Sequence, residues 1–149
     1  MEHNGDVVRV AKLFRWEMGH RLPSHPGLCS NIHGHSYKLW VEVEGFRDDN
    51  GMVIDYADLT SAVLPIIEPL DHAFLCEEND VPVRSFLESR GFKHFLFPCS
   101  ATAENIVLFL LDRVWDALAG DPRLRSITLR LQETEDTFAS ANRSKPIPS

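Results

Sequence analysis

The chain lacks the features that define several large classes of proteins. It has only 3 cysteines among 149 residues, and they form neither a C-x-x-C pair nor a disulfide framework. Its net charge of −7 leaves no basic stripe for the phosphates of nucleic acid. No apolar run reaches membrane-spanning length, and the first residues do not resemble a signal peptide. We therefore expect a single domain over residues 1–149, located in the cytoplasm, with no nucleic-acid or membrane partner.

What the chain does have is a dense group of residue types that bind metals. Cys29, His33 and His35 fall within one short stretch, at the start of a segment that alternates like a β-strand. Residues two apart in a strand point to the same face of a sheet. The two histidines share the parity of the apolar residues Leu39 and Val41, so we expect both imidazoles to point into the protein.

A third imidazole lies upstream, at the end of another alternating segment. His20 shares the parity of Trp16 and Met18, which are the apolar residues of that segment. If the two segments pair across the loop of residues 21–32, the three imidazoles converge. Three histidines without a fourth protein ligand are typical of a catalytic zinc site. The alternative is that the histidines of the second segment are polar residues at a strand end, with ordinary hydrogen bonds.

Helical patterns occupy the middle of the chain. Asp55 is expected to be the N-cap of a first helix, which Pro65 should kink or shorten. The long connection over residues 73–100 is expected to carry a short helix around residues 81–90. A further helix is expected to begin near Thr102.

A third strand and a polar tail complete the chain. The strand covers residues 126–133 and alternates regularly, whereas the tail over residues 142–149 is expected to be disordered. The first two strands are joined by a short loop, which indicates antiparallel pairing. The pattern as a whole predicts an α+β fold.

Three further features suggest chemistry. Glu133 continues the inward parity of the third strand, where an ionised carboxylate needs a partner; alternatively the strand has already ended and Glu133 is a solvated turn residue. Asp71 and His72 are adjacent, and a carboxylate can fix the tautomer of an imidazole, although most such pairs are ordinary loop residues. Cys29 would have a lowered pKa beside a metal ion, or it is a small packing residue.

Several of these pieces together carry a resemblance to one family. In their order and separations they resemble the 6-pyruvoyltetrahydropterin and 6-carboxytetrahydropterin synthases. The matching pieces are Phe14 to Leu22, Cys29 to Tyr37, Gly51 to Tyr56, Leu70 to His72, Thr102 to Asn105, and Glu133 with Thr134.

The resemblance implies a role for each candidate residue. It implies that His20, His33 and His35 bind Zn²⁺ and that Cys29 is a general base. It further implies that Asp71 and His72 form a proton-relaying dyad, that Glu133 anchors the pterin and takes part in catalysis, and that Thr102 and Glu104 contact the substrate. The family also implies the tunnelling fold (T-fold), a four-stranded antiparallel sheet with two helices on one face. Its subunits commonly form a homohexamer, a dimer of trimers, with active sites at subunit interfaces.

The short separation of Cys29 and His33 resembles the bacterial 6-carboxytetrahydropterin synthases of queuosine biosynthesis. The expected reaction converts 7,8-dihydroneopterin triphosphate to 6-carboxytetrahydropterin, acetaldehyde and triphosphate. The alternatives are a 6-pyruvoyltetrahydropterin synthase, a non-catalytic zinc- or pterin-binding module and a metal hydrolase. Arg21, Lys38, Arg84 and Lys93 are candidate contacts for the triphosphate.

Overall fold

The computed structural model describes residues 5–146 as one mixed sheet with three helices. The strands are β1 (Val8–His20), β2 (His33–Gly45), β3 (Ala73–Glu77), β4 (His94–Phe97), β5 (Leu124–Gln132) and β6 (Phe138–Ser144). The helices are α1 (Tyr56–Ile67), α2 (Val81–Arg90) and α3 (Ala103–Leu118). The α+β class expected from the sequence is confirmed.

The long antiparallel pair of β1 and β2 forms the centre of the sheet. Their register runs without interruption from Val8 opposite Gly45 to His20 opposite His33. Alternate residues of both strands are buried because one face of the sheet packs on helices and the other does not. The inward parity expected for both segments is therefore confirmed.

The sheet is larger than the four antiparallel strands implied by the resemblance. Its order is β4-β3-β1-β2-β5-β6, and two of the pairings, β1 with β3 and β3 with β4, are parallel. The two additional strands come from the long connection over residues 73–100. They have few residues each, so their alternation is too brief to be recognised in the sequence. Their parallel pairing follows from the crossover through α2, which the sequence placed correctly around residues 81–90.

Helices α1 and α3 pack on the inward face of the sheet. The Asp55 carboxylate accepts a hydrogen bond from the amide of Ala57 and so caps α1, as expected. Pro65 lies inside α1, which ends soon afterwards at Ile67. Thr102 caps α3, which buries its apolar stripe against the strands. The stripe consists of Ile106, Val107, Leu110, Leu111 and Val114.

The expectation for the end of the chain was partly wrong. The structure continues β6 to Ser144, in antiparallel register with β5, where a disordered tail from Asn142 was expected. The strand was missed because its inward positions are the small residues Ala139 and Ala141 and the charged residue Arg143, so it carries little apolar alternation. Residues 147–149 lie outside the described residues. Within residues 5–146, no helix is long and apolar enough to cross a membrane.

Candidate active site

Three histidines converge at the end of the β1–β2 pair that lies next to the connecting loop. The register places His20 directly opposite His33, and His35 opposite Met18 on the same face. The ring centroid of His20 lies 4.6 Å from that of His33 and 5.1 Å from that of His35. One ring nitrogen from each of the three residues falls within a group whose members are all within 4.8 Å of one another. The convergence expected from strand parity is confirmed.

Backbone carbonyls orient two of these rings. His20 Nδ1 lies 2.8 Å from the carbonyl oxygen of Ala101, and His33 Nδ1 lies 2.7 Å from that of Asn31. Each Nδ1 must therefore carry its proton and donate it, which leaves Nε2 with a free lone pair. Metal-binding histidines are held in the same way in other proteins.

The electrostatics of the site favour neutral imidazoles. Burial, together with the neighbouring imidazoles of His33 and His35, lowers the pKa of His20 to about 4, and the hydrogen bond that His20 donates to the carbonyl of Ala101 opposes this shift. Burial and the charge of His33 also lower the pKa of His35. Nε2 of His35 lies 3.1 Å from Nε2 of His20. Two nitrogens bound tetrahedrally to one ion with typical zinc distances lie about 3.3 Å apart, so this donor set fits a metal ion.

A partly buried carboxylate adjoins the histidines. Glu133 follows the last residue of β5, and its side chain stays on the inward face, as its parity predicted. Its Oε2 lies 4.0 Å from Nε2 of His35, and its Oε1 accepts a hydrogen bond of 3.1 Å from the hydroxyl of Tyr37. Burial raises the pKa of Glu133, the Tyr37 hydrogen bond opposes that rise, and the charge of Glu104 adds to it. The strand does end at Gln132, before Glu133, as the alternative held, but the Glu133 side chain is partly buried and bonded to Tyr37, so the expectation of a solvated residue is wrong.

Tyr37 is the residue of this site that the sequence analysis missed. It is completely buried and stacks on Trp16, with ring centroids 5.4 Å apart. Its ring also meets His35 edge-on at 5.5 Å. Its position on the parity of the histidines and of Glu133 was a usable signal, because a buried hydroxyl on that face needs a polar partner.

The start of α3 covers one side of the site. Ala101, which accepts the hydrogen bond from His20, directly precedes the cap residue Thr102. The Thr102 hydroxyl accepts a hydrogen bond of 3.2 Å from the amide of Asn105, so its evident role is capping. Glu104 is near enough to Glu133 to raise its pKa.

Cys29 lies in a short 3-10 turn, Leu28–Ser30, between the two long strands. Its thiol is half-buried and unoxidised. The carbonyl oxygen of Cys29 accepts a hydrogen bond of 2.8 Å from the amide of Leu22. This bond fastens the turn to the chain just beyond His20.

The Asp71–His72 pair forms, but it belongs to the outward face of the sheet. His72 Nδ1 lies 2.9 Å from Oδ1 of Asp71, which also accepts a hydrogen bond from the amide of Glu17. The hydrogen bond from the Glu17 amide is the largest cause of the lowered pKa of Asp71, and the hydrogen bond with His72 lowers this pKa as well. His72 lines a groove of about 370 Å³ with the outward-facing residues Glu17, Gly19, Gly34 and Ser36, and the strand residues Met18, His35 and Ala73 also line it. The histidine group of the same chain lies on the inward face.

Each candidate contact for the triphosphate already has a partner within the chain. Three of the four donate to carboxylates, and the fourth donates to backbone carbonyls. The pairs are Arg21 with Asp80, Lys38 with Glu135, Arg84 with Glu88, and Lys93 with the carbonyl oxygens of Glu68 and Asp71.

The fold and the site define an α+β protein with a group of three histidines that could hold a metal ion, beside a partly buried carboxylate. A family model described as 6-pyruvoyl tetrahydropterin synthase matches residues 9–144. The chain belongs to this family. The same histidine, cysteine and glutamate positions carried the resemblance in the sequence, and that resemblance is confirmed.

Individual relatives agree with this assignment. A 6-carboxy-5,6,7,8-tetrahydropterin synthase of Haemophilus influenzae is 38% identical over 140 residues, covering 89% of this chain and 96% of the relative. A probable enzyme of the same name from Halobacterium salinarum is 34% identical, covering 86% and 82%. The crystal structure of Plasmodium vivax 6-pyruvoyl tetrahydropterin synthase has a TM-score of 0.76 at 17% identity, covering 94% of this chain and 99% of that one. The tunnelling fold is confirmed.

Removing the Tyr37 hydroxyl should destabilise the protein. Tyr37→Phe leaves the Glu133 carboxylate without its hydrogen-bond donor, and we expect a loss of about 1–3 kcal/mol in the free energy of unfolding. Urea denaturation in the presence of a chelator measures this loss without interference from metal binding. Tyr56→Phe is the matched control, because Tyr56 is 53% exposed and its change should stay within about 0.5 kcal/mol. Equal unfolding free energies for the two variants would contradict the role of Tyr37.

Proposed function

We propose that this protein is a zinc-dependent 6-carboxy-5,6,7,8-tetrahydropterin synthase, a lyase of queuosine (7-deazaguanine) biosynthesis that works in the cytoplasm. The observation that carries the proposal is the histidine group beside Glu133 in a chain of this family. The reaction consumes 7,8-dihydroneopterin triphosphate and one water, and it releases 6-carboxytetrahydropterin, acetaldehyde and triphosphate. Relatives that carry this name support the carboxy product over the pyruvoyl product.

The donor set supports zinc as the metal. Neutral imidazoles are preferred zinc ligands, and His20, His33 and His35 would hold the ion through ring nitrogens whose tautomers are partly fixed by backbone carbonyls. Zinc would supply a Lewis acid for oxygen atoms of the substrate side chain.

The residues around the histidines would bind the pterin and transfer protons. Glu133, held by Tyr37, would accept the two parallel N–H donors of the pterin's amino-pyrimidine edge. As a thiolate, Cys29 would accept a proton from the substrate. His72 would return a proton through Nε2, because its Nδ1 proton is engaged by Asp71. Thr102 and Glu104 would line the pterin end of the site from the start of α3.

The first prediction from the proposed function concerns the product and Cys29. Purified protein given 7,8-dihydroneopterin triphosphate should release acetaldehyde and 6-carboxytetrahydropterin, both measurable by mass spectrometry. Cys29→Ala should lower turnover on the order of a hundredfold or more, because a proton-transfer group is lost. Cys99→Ala is the matched control, since Cys99 is an exposed free thiol. A 6-pyruvoyl product without acetaldehyde would favour the pyruvoyl synthase alternative. If the protein does not turn over this substrate, the remaining alternatives are a non-catalytic binding module and a metal hydrolase.

The second prediction concerns the metal. Elemental analysis should find one zinc per chain, and His33→Ala and His35→Ala should each lose it while circular dichroism shows that the fold is retained. The expected cause is that two imidazoles hold the ion much less tightly than three. His94→Ala should keep zinc, because His94 lies in β4 and is not a member of the histidine group. Full zinc occupancy in both ligand variants would disprove the assignment.

The third prediction concerns assembly. We propose a homohexamer with active sites shared between subunits, for two reasons. Within the described chain, β3 pairs with β1 only at Met18–His20, so the outer edge of β1 before that point is open, as is the outer edge of β6. The Asp71–His72 dyad also lies beside the outward-facing residue Glu17, and the His72 side chain is 75% exposed, so it is open to a neighbouring subunit.

Coexpression of two inactive variants tests the shared site. Cys29→Ala and His72→Ala are each expected to be inactive as pure proteins. Mixed oligomers should regain activity at about a quarter of the sites if each site combines Cys29 of one subunit with His72 of another. Light scattering of the wild type should report the hexamer. An active wild-type monomer, or a mixture as inactive as its components, would contradict the proposal.

A further inference from the structure

The buried carboxylate of Asp80 is an unusual feature outside the histidine group. Within residues 5–146, Asp80 is the one acidic residue that is almost completely buried, with 6% of its surface exposed. Asp80 occupies the N-cap position of α2, but its carboxylate makes no capping hydrogen bond. Because a buried carboxylate is unstable without a partner, its actual partner indicates what this residue is for.

That partner is Arg21, which follows His20 directly. Arg21 Nε donates to Oδ2 of Asp80 at 2.7 Å, and Nη2 donates to Oδ1 at 3.1 Å. The two parallel bonds fix the plane of the guanidinium, as expected for a bidentate arginine–carboxylate pair. The third donor, Nη1, then points to the carbonyl oxygen of Ser30 at 3.0 Å.

One guanidinium therefore joins three separate segments. It joins the end of β1, where His20 lies, to the start of α2 and to the residue after Cys29. The carbonyl of Cys29 itself is held by the amide of Leu22. The peptide groups on the C-terminal side of Cys29 are thus tied to the two residues that follow His20.

We propose that Arg21 and Asp80 are positioning residues that hold the Cys29 turn at a fixed place relative to the histidine group. Asp80 locks the guanidinium, and the locked guanidinium holds the carbonyl of Ser30. The β3–α2–β4 segment thereby supports the active site from a distance. The expected effect on turnover rests on the proposed catalytic role of Cys29.

The test replaces the ion pair with apolar residues of similar size. In Arg21→Met/Asp80→Leu neither member of the ion pair is left behind as a buried charge, so the fold should be kept while the bond to Ser30 is lost. Arg123→Met/Asp121→Leu is the matched control. Arg123 also pairs with a carboxylate and donates to a backbone carbonyl, that of Met52, and its side chain is 25% exposed, as is that of Arg21.

We expect the Arg21/Asp80 double variant to keep zinc, its melting temperature and its KM, and to lose kcat by on the order of tenfold to a hundredfold. The alkylation rate of Cys29 by iodoacetamide at fixed pH, in a Cys99→Ala background, should rise several-fold because the turn is released. The control should change neither kcat nor the alkylation rate. Wild-type kcat and a wild-type alkylation rate in the Arg21/Asp80 variant would overturn the proposal.

Two additions keep the test decisive. If the double variant does not fold, Asp80→Asn takes its place, because the amide keeps the shape but offers Arg21 only one acceptor oxygen and no charge. The alkylation measurement does not depend on the synthase reaction. If the wild type shows no synthase activity, an increased alkylation rate still supports the positioning role, and an unchanged rate still rejects it.

Discussion

The antiparallel register of β1 and β2 is the constraint on which the site depends. With His20 opposite His33, the alternation of the strands brings the imidazole of His35 to the same face. A slip of one residue would move the His33 and His35 side chains to the outward face of the sheet, away from the inward-facing imidazole of His20. The long apolar alternation of both strands fixes this register, because the same slip would expose the core residues that pack on α1 and α3. The energy that stabilises the fold thus also positions the three imidazoles.

Desolvation gives the site its chemical character. Burial keeps His20 and His35 neutral, which suits metal binding, and it raises the pKa of Glu133. Left alone, a carboxylate in this environment would tend to hold its proton, and Tyr37 counteracts that tendency by donating a hydrogen bond to it. A ligand that offers two N–H donors would reinforce the same charged state. This is the physical reason for the contact that we propose between Glu133 and the pterin.

The segment over residues 73–100 makes two connections near the candidate site. Its first residues continue from the Asp71–His72 pair, whose place on the outward face is set by the parallel register of β3 with β1. Its middle provides Asp80, which reaches back to Arg21 beside the histidine group. A connection that looks like a long loop in the sequence is therefore a small parallel β-α-β unit. It adjoins the Asp71–His72 pair and also contacts Arg21, the residue next to His20.

The sequence by itself determined the features that depend on local periodicity. The inward parity of His20, His33, His35 and Glu133 could be read from alternation, and the caps Asp55 and Thr102 from residue type, because both signals lie within a few neighbouring residues. Only the tertiary structure decided which distant groups meet. The pairing of Tyr37 with Glu133, the bond of His20 to the carbonyl of Ala101, the reach of Arg21 to Asp80 and the face of the sheet that carries His72 all join segments far apart in the chain. Such contacts are set by the packing of whole elements, and no local pattern encodes them.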